Sequence, residues 1–209
     1  MYRILLIILL MCNIGITGCS FMRAQEPLVV SYIKSDELYK SNIRRVIVIP
    51  FAYESDREEV VKEVTESITI ELQKTGDLDV VLPYENISLL LEGRQLWDKG
   101  SINSEILTEA RKRFGADAII SGAITHYKPY KPLILGLKLG MINTDTGSLL
   151  WSFDGVFDSN DTKVTNMAKS YFEKSSQKKL SIYGWEIMLL SMGQYTRFVA
   201  NQIVSTLKN

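Results

Sequence analysis

One histidine, two cysteines and five prolines in 209 residues leave this chain short of the groups that most often carry chemistry. The lone histidine, His126, excludes any site that needs two imidazoles, the HExxH zinc type included. Two cysteines do not complete a four-ligand structural zinc site without other donors. An excess of charge is missing too. The 24 basic residues balance 24 acidic ones, whereas a nucleic-acid binder normally shows a strongly basic surface. No apolar run reaches the ~20 residues of a membrane-spanning helix. Neither G-x-x-x-x-G-K-[ST] nor G-x-G-x-x-G occurs, so nothing supports a phosphate-cradling loop. What is present is an apolar share of 46%, which excludes a collagen-like, disordered or disulfide-scaffold chain and fits one globular domain with appendages.

The amino terminus changes the meaning of those counts. Met1-Tyr2-Arg3 is a short basic start, residues 4–11 are unbroken apolar, and Ile16-Thr17-Gly18-Cys19 follows. This is the pattern of a secretory signal peptide over 1–18. The four residues ending at Cys19 resemble the bacterial lipobox: aliphatic, small, Gly, Cys. That resemblance implies a diacylglycerol on the Cys19 thiol, cleavage before Cys19 and acylation of the new amine. More than one acyl chain matters, because a single chain gives only marginal membrane attachment. Cleavage removes Cys12 and leaves Cys19 as the only cysteine, consumed by lipid, so neither a disulfide nor a thiol nucleophile is expected. Ser20 stands after Cys19, with no Asp there to signal inner-membrane retention. The expected location is therefore the outer membrane, facing the periplasm.

Residues 19–42 show no sustained period and read as a lipidated tether, although Leu28-Val29-Val30 has the composition of an edge strand. Residues 43–209 read as a single α/β domain with carboxy-terminal helices. Arg45-Val46-Ile47-Val48-Ile49-Pro50-Phe51 is a β-branched strand closed by proline. Ser55 and Glu58 have capping-box spacing ahead of a helix whose apolar face is Val61, Val64, Ile68 and Leu72, with Gly76 at its end. A strand over 78–82 follows. Ile87, Leu90 and Leu91 suggest a short helix, and Ile106, Leu107, Ala110 and Phe114 a firmer one ending at Gly115. Residues 118–124 are apolar on both faces, as a central strand is. Residues 133–142 and 149–157 form a hairpin across Asn143-Thr144-Asp145-Thr146-Gly147. Helices are expected over 164–172 and at the carboxy terminus. The sum is an α/β (α+β-like) fold: a mixed five-stranded sheet with helices packed against it.

Three stretches carry a family likeness. They are Arg45-Val46-Ile47-Val48-Ile49-Pro50-Phe51, Phe114-Gly115-Ala116-Asp117-Ala118-Ile119-Ile120-Ser121-Gly122 and Met141-Ile142-Asn143-Thr144-Asp145-Thr146-Gly147-Ser148-Leu149-Leu150-Trp151. With the helix to Gly76 and Asp79-Val80-Val81 between them, residues 44–157 resemble the amino-terminal domain of TolB and its relatives, the penicillin-binding-protein activator lipoproteins and the curli-secretion lipoprotein. The resemblance implies a periplasmic docking or assembly module rather than an enzyme. It also implies an envelope partner, a peptidoglycan synthase or a secretion or assembly component. The motifs are mostly core and turn letters, so they specify a fold better than a function.

Asp145-Thr146-Gly147-Ser148 has the letters of an aspartic-protease loop, but that chemistry needs two carboxylates sharing a proton and the chain has no second such string. A polar hairpin turn explains the same letters. The G-x-x-x-G spacing of Gly136 and Gly140 lies in a strand, where close backbone approach is the expected role. His126 reads as a strand-end residue, and Arg111-Lys112-Arg113 as a solvated helix face beside Glu105 and Glu109. Lys128-Pro129-Tyr130-Lys131-Pro132 is a basic connection at a strand end, and Lys128, Tyr130 and Lys131 are the candidate partner contacts. Residues 185–192 are dense in large apolar groups, as core cover or as a patch for self-association. No catalytic residue, cofactor or metal is expected. The leading expectation is a non-enzymatic envelope lipoprotein that docks on or activates an envelope machine. The alternatives are a curli-type outer-membrane export channel subunit and a hydrolase with an unrecognised site.

Overall fold

The computed structural model describes residues 30–55, 57–83, 104–175 and 183–208. Cys19 and the helix expected around Ile87 lie outside them. Six strands form one sheet: β1 (Val30–Lys34), β2 (Arg45–Val48), β3 (Asp79–Val81), β4 (Ala118–Lys128), β5 (Ile134–Asn143) and β6 (Leu149–Asp158), in the order β1-β6-β5-β4-β2-β3. β4, β2 and β3 run parallel, and the β4-β5-β6-β1 half is antiparallel. The expected count of five is corrected to six. The extra strand is β1, a five-residue edge inside the stretch read as tether, where pairing with β6 supplies the order that local sequence does not.

Among the described residues five α-helices accompany the sheet: α1 (Asp36–Lys40), α2 (Glu58–Gln73), α3 (Ser104–Phe114), α4 (Thr162–Lys174) and α5 (Met192–Lys208), with a 3-10 turn over Gly184–Leu189. On one face, Val60, Val64, Ile68 and Leu72 of α2 join Phe198, Val199 and Ile203 of α5, and Val164, Ala168 and Phe172 of α4. They cover Val46, Val48, Ile120, Leu135, Leu137, Leu139 and Phe153. Trp151, Phe153 and Phe157 of β6 form an aromatic row with centroids 6.3 and 6.4 Å apart, and Phe198 closes it edge-on at 6.2 Å. On the opposite face, among the described residues, α3 packs Ile106, Leu107 and Ala110 on Ile47, Ile49, Ile119 and Ile142. The parallel strands are thus buried on both sides, which is why β2 and β4 read as unbroken apolar runs. On that second face the antiparallel half presents Ala123, Lys138, Ser152 and Asp154, side chains suited to water.

Two local expectations change. The capping box at Ser55 and Glu58 does not form: α2 starts after Arg57, and the Ser55 hydroxyl accepts the Arg57 Nε–H at 3.3 Å instead. The buried face of α2 takes Val60 where Val61 was expected. Gly76 and Gly115 do follow their helices in the left-handed region, at φ 75° and 63°, which glycine adopts without a Cβ clash.

Candidate functional site

The stretches that carry the family likeness converge on one end of the sheet, where they lock the strands together. Asp117 Oδ2 accepts the backbone N–H groups of both Arg44 and Arg45 at 2.9 Å. Arg45 in turn reaches Asp79 Oδ2 at 2.7 Å and the Phe114 carbonyl at 3.2 Å. Thr144 Oγ1 donates to the Ala116 carbonyl at 2.6 Å. These bonds tie β2, β3, β4 and the β5–β6 turn at their ends, so these residues are structural fasteners.

The same turn holds the amino-terminal segment. Asn143 Oδ1 accepts from the N–H groups of Asp145 and Thr146, at 2.8 and 3.3 Å, and fixes the loop, while Gly147 closes it at φ 72°. Asn143 Nδ2, Thr146 Oγ1 and Ser148 Oγ then all donate to the Glu37 carboxylate of α1, at 3.1, 2.9 and 2.6 Å. Hydrogen bonds from Ser148 first, then Thr146, hold the Glu37 carboxyl below its ordinary value. Asp145 pairs with Arg111, not with a second carboxylate. The protease-like letters therefore build a clamp on the chain leading in from the amino terminus. Eleven residue steps separate Cys19 from Val30, a reach of roughly 40 Å at most.

The other end of the sheet carries the predicted contact residues. Lys128 ends β4, and Tyr130 and Lys131 stand exposed in the β4–β5 connection, Tyr130 at 78%. Beside them lies a cluster that sequence reasoning missed. The rings of Tyr53 and Tyr127 meet edge-on at 6.2 Å, Arg57 lies over both at 5.7 and 5.5 Å, and its guanidinium donates to the Tyr53 hydroxyl at 2.9 Å. Burial, reinforced by Glu63, pushes the Tyr127 phenol up to about 12. The spacing of Tyr53 and Arg57 by four was the available signal; what joins them to Tyr127 is the parallel pairing that continues at Ala52 and Ala123. His126 lies exposed after a register shift in β4, with Nδ1 3.2 Å from Thr125 Oγ1. The structure thus sets Lys128, Tyr130 and Lys131 at one end of the sheet and Asp145, Thr146, Gly147 and Ser148 at the other.

Grooves open on the helical face among the described residues. One, of about 410 Å³, runs between α4 and α5 past Tyr171, Lys174, Asn201 and Gln202. Another, of about 370 Å³, lies among Leu38, Tyr39, Ile43, Leu78, Met141 and Leu207. Residues 185–192 mainly cover the core: Met188 is buried and Trp185, Ile187 and Leu189 pack on it, while Leu190 stays 55% exposed. Among the described residues no group of three His, Cys, Asp or Glu is placed to hold a metal, and no helix is long and apolar enough to cross a membrane.

No protein-family model and no curated protein matches the chain. Solved structures do. A PelC dodecamer from Paraburkholderia phytofirmans is 14% identical, with 85% of this chain and 97% of that one covered at a TM-score of 0.52. Lipoprotein GNA1162 from Neisseria meningitidis is 19% identical over 66% of this chain and 99% of that one, at 0.41. The LpoB carboxy-terminal domain from Salmonella enterica is 14% identical over 56% and 83%, at 0.37. At these identities the comparison establishes architecture, and it is the PelC match that carries it: this chain has a PelC-like α/β fold, a mixed sheet backed by helices.

Proposed function

We propose that this chain is a non-enzymatic, membrane-anchored lipoprotein of the bacterial envelope that works as a docking or activator module. Acylated Cys19 is its anchor, in the outer membrane and facing the periplasm. The β4–β5 end, with Lys128, Tyr130 and Lys131 beside the Tyr53–Arg57–Tyr127 cluster, is its contact surface. The partner is an envelope machine of peptidoglycan synthesis or secretion.

One observation carries the reading: the chain coming from Cys19 is built into the sheet as β1 and then clamped through Glu37. A domain moored by its amino-terminal edge within roughly 40 Å of the anchor keeps its surfaces close to the bilayer. Three further observations point the same way. The letters that looked catalytic hold this mooring. Arg57, Tyr53 and Tyr127 brace one another at the strand end from which the exposed connection leaves. The β5–β6 hairpin, which a channel subunit needs for its barrel, has β4 and β1 paired on its two sides.

A photo-crosslinking amino acid placed at Tyr130 in cells tests the contact surface. Capture of an envelope protein at 130, and not at Lys138 on the open sheet face, is the expected result. An absence of any envelope protein above background from 128, 130 and 131 contradicts the reading.

A further inference from the structure

We propose that β1 is a self-pairing edge: two copies in the same leaflet join their β1 strands antiparallel about Tyr32, fusing two six-stranded sheets into one. The inference rests on the anchored reading only for the local concentration of the two copies.

The backbone supplies the first argument. β1 is the outermost strand, with β6 on one side and no further strand among the described residues on the other. Just past its end, the Ser35 N–H donates to the Leu150 carbonyl at 2.9 Å, so Ser35 faces β6. In an antiparallel ladder each residue's N–H and C=O point to one side, and the side alternates along the strand. Ile33 and Ser31 therefore bond toward β6, opposite Ser152 and Asp154. Val30, Tyr32 and Lys34 direct their peptide groups outward. That outward set is self-complementary about its centre. Tyr32 falls opposite the partner's Tyr32 and Val30 opposite the partner's Lys34, which completes about six hydrogen bonds.

The side chains agree with this register. Tyr32, 48% exposed, lies across from Phe153 in the register, so a second Tyr32 sets ring beside ring across the new seam. On the other face Ile33, 65% exposed, meets the partner's Ser31. No like charges face each other. The usual guards of a free edge are missing as well. β1 has no proline and no bulge, and the Lys34 ammonium is buried over the Tyr39 ring at 5.8 Å instead of projecting past the edge.

Anchoring decides between a second copy and a passing peptide. Five residues a side fall short of the ~1,200 Å² of a standard interface, too little for a dimer in dilute solution. Confinement to one leaflet raises the effective concentration of other copies. The two-fold sets the two Val30 residues only about 14 Å apart, so both tethers reach the same membrane.

Oxidation of single-cysteine variants of the full chain in its native membrane tests the pairing. At the symmetry centre, Tyr32→Cys places two Cα atoms ~5.5 Å apart, within disulfide range. It is expected to give at least tenfold more disulfide-linked homodimer than Ile33→Cys, whereas Ser31→Cys coexpressed with Ile33→Cys gives the mixed dimer. Adding Tyr32→Pro to that mixed pair abolishes the crosslink without unfolding the domain, because the N–H it removes faces away from β6. Equal homodimer from Tyr32→Cys and Ile33→Cys, no homodimer from either, or capture of a different protein at Tyr32→Cys overturns the proposal. The unsubstituted chain is the control. If it crosslinks through Cys19, the thiol is free and the anchored reading fails. Concentrated Cys19→Ala, Tyr32→Cys protein then decides the pairing by itself.

Discussion

Two glycines on the β4–β5 pair differ sharply in what a methyl group meets. At Gly122 a Cβ falls 2.1 Å from the Lys138 carbonyl oxygen and 2.9 Å from Leu139 Cα, both backbone atoms of β5. A carbon rests ~3.3 Å or more from a carbonyl oxygen, so β4 and β5 must part by about 1 Å. The movement does not stop there, because the Gly122 carbonyl accepts the Ala52 N–H at 2.8 Å and ties β4 to the chain leaving β2. Overpacking of about 1–3 kcal/mol, with one or two ladder bonds at about 1 kcal/mol each, puts the packing cost of Gly122→Ala at about 2–5 kcal/mol. At Gly136 the nearest atoms are Thr125 Oγ1 at 2.5 Å and His126 Nδ1 at 2.9 Å, on exposed side chains that can turn aside. Either substitution recovers about 0.5–1 kcal/mol of unfolded-state entropy, which brings the net cost of Gly136→Ala to about 1 kcal/mol or less. Urea unfolding of the Cys19→Ala mature chain, followed by circular dichroism, measures both. The expected result is a midpoint shift at least twice as large for Gly122→Ala, with unchanged slope. Equal shifts would refute the packing argument.

Two titrations probe the two ends of the sheet. The Glu37 carboxyl is held below its ordinary value, so its contribution is complete above pH ~4.5 and is lost as pH falls through the depressed folded value. Amide protection of β1 and α1 is expected to follow that loss, and Glu37→Gln is expected to lower protection at neutral pH and remove its acid dependence. The Tyr127 phenol stands at about 12, so it favours the folded state below pH ~10, and that advantage declines as pH rises from there toward 12. Absorbance at the phenolate band is expected to show a late-titrating tyrosine that Tyr127→Phe removes. A phenol at this position that ionises with the exposed tyrosines contradicts its burial.

Much of the fold was legible because its strongest signals are local. β2 and β4 announce themselves as β-branched runs buried on both faces, α3 by its apolar spacing and Gly115, and the β5–β6 hairpin by its turn letters. β1 has no comparable signature. Its three middle residues are exposed, and its place depends on β6, more than a hundred residues downstream. The Ser55 and Glu58 spacing misled because Arg57 takes the cap position, where its guanidinium reaches Tyr53. Exposure of Lys128, Tyr130 and Lys131 follows from a polar, proline-bearing strand end and was readable. The Tyr53–Arg57–Tyr127 brace was not, since only the parallel pairing of the β2 exit with β4 brings those residues together. The turn at Asn143 was read correctly as a turn, but its grip on Glu37 joins groups that no local pattern connects.

Palmitate labelling of cells, with fractionation of the unsubstituted chain against Cys19→Ala, measures the central claim most directly. The account predicts a labelled chain in the outer-membrane fraction. It further predicts that Cys19→Ala loses the label and leaves that fraction while the domain keeps its fold. A chain that takes no label, or whose label and membrane association survive Cys19→Ala, contradicts it.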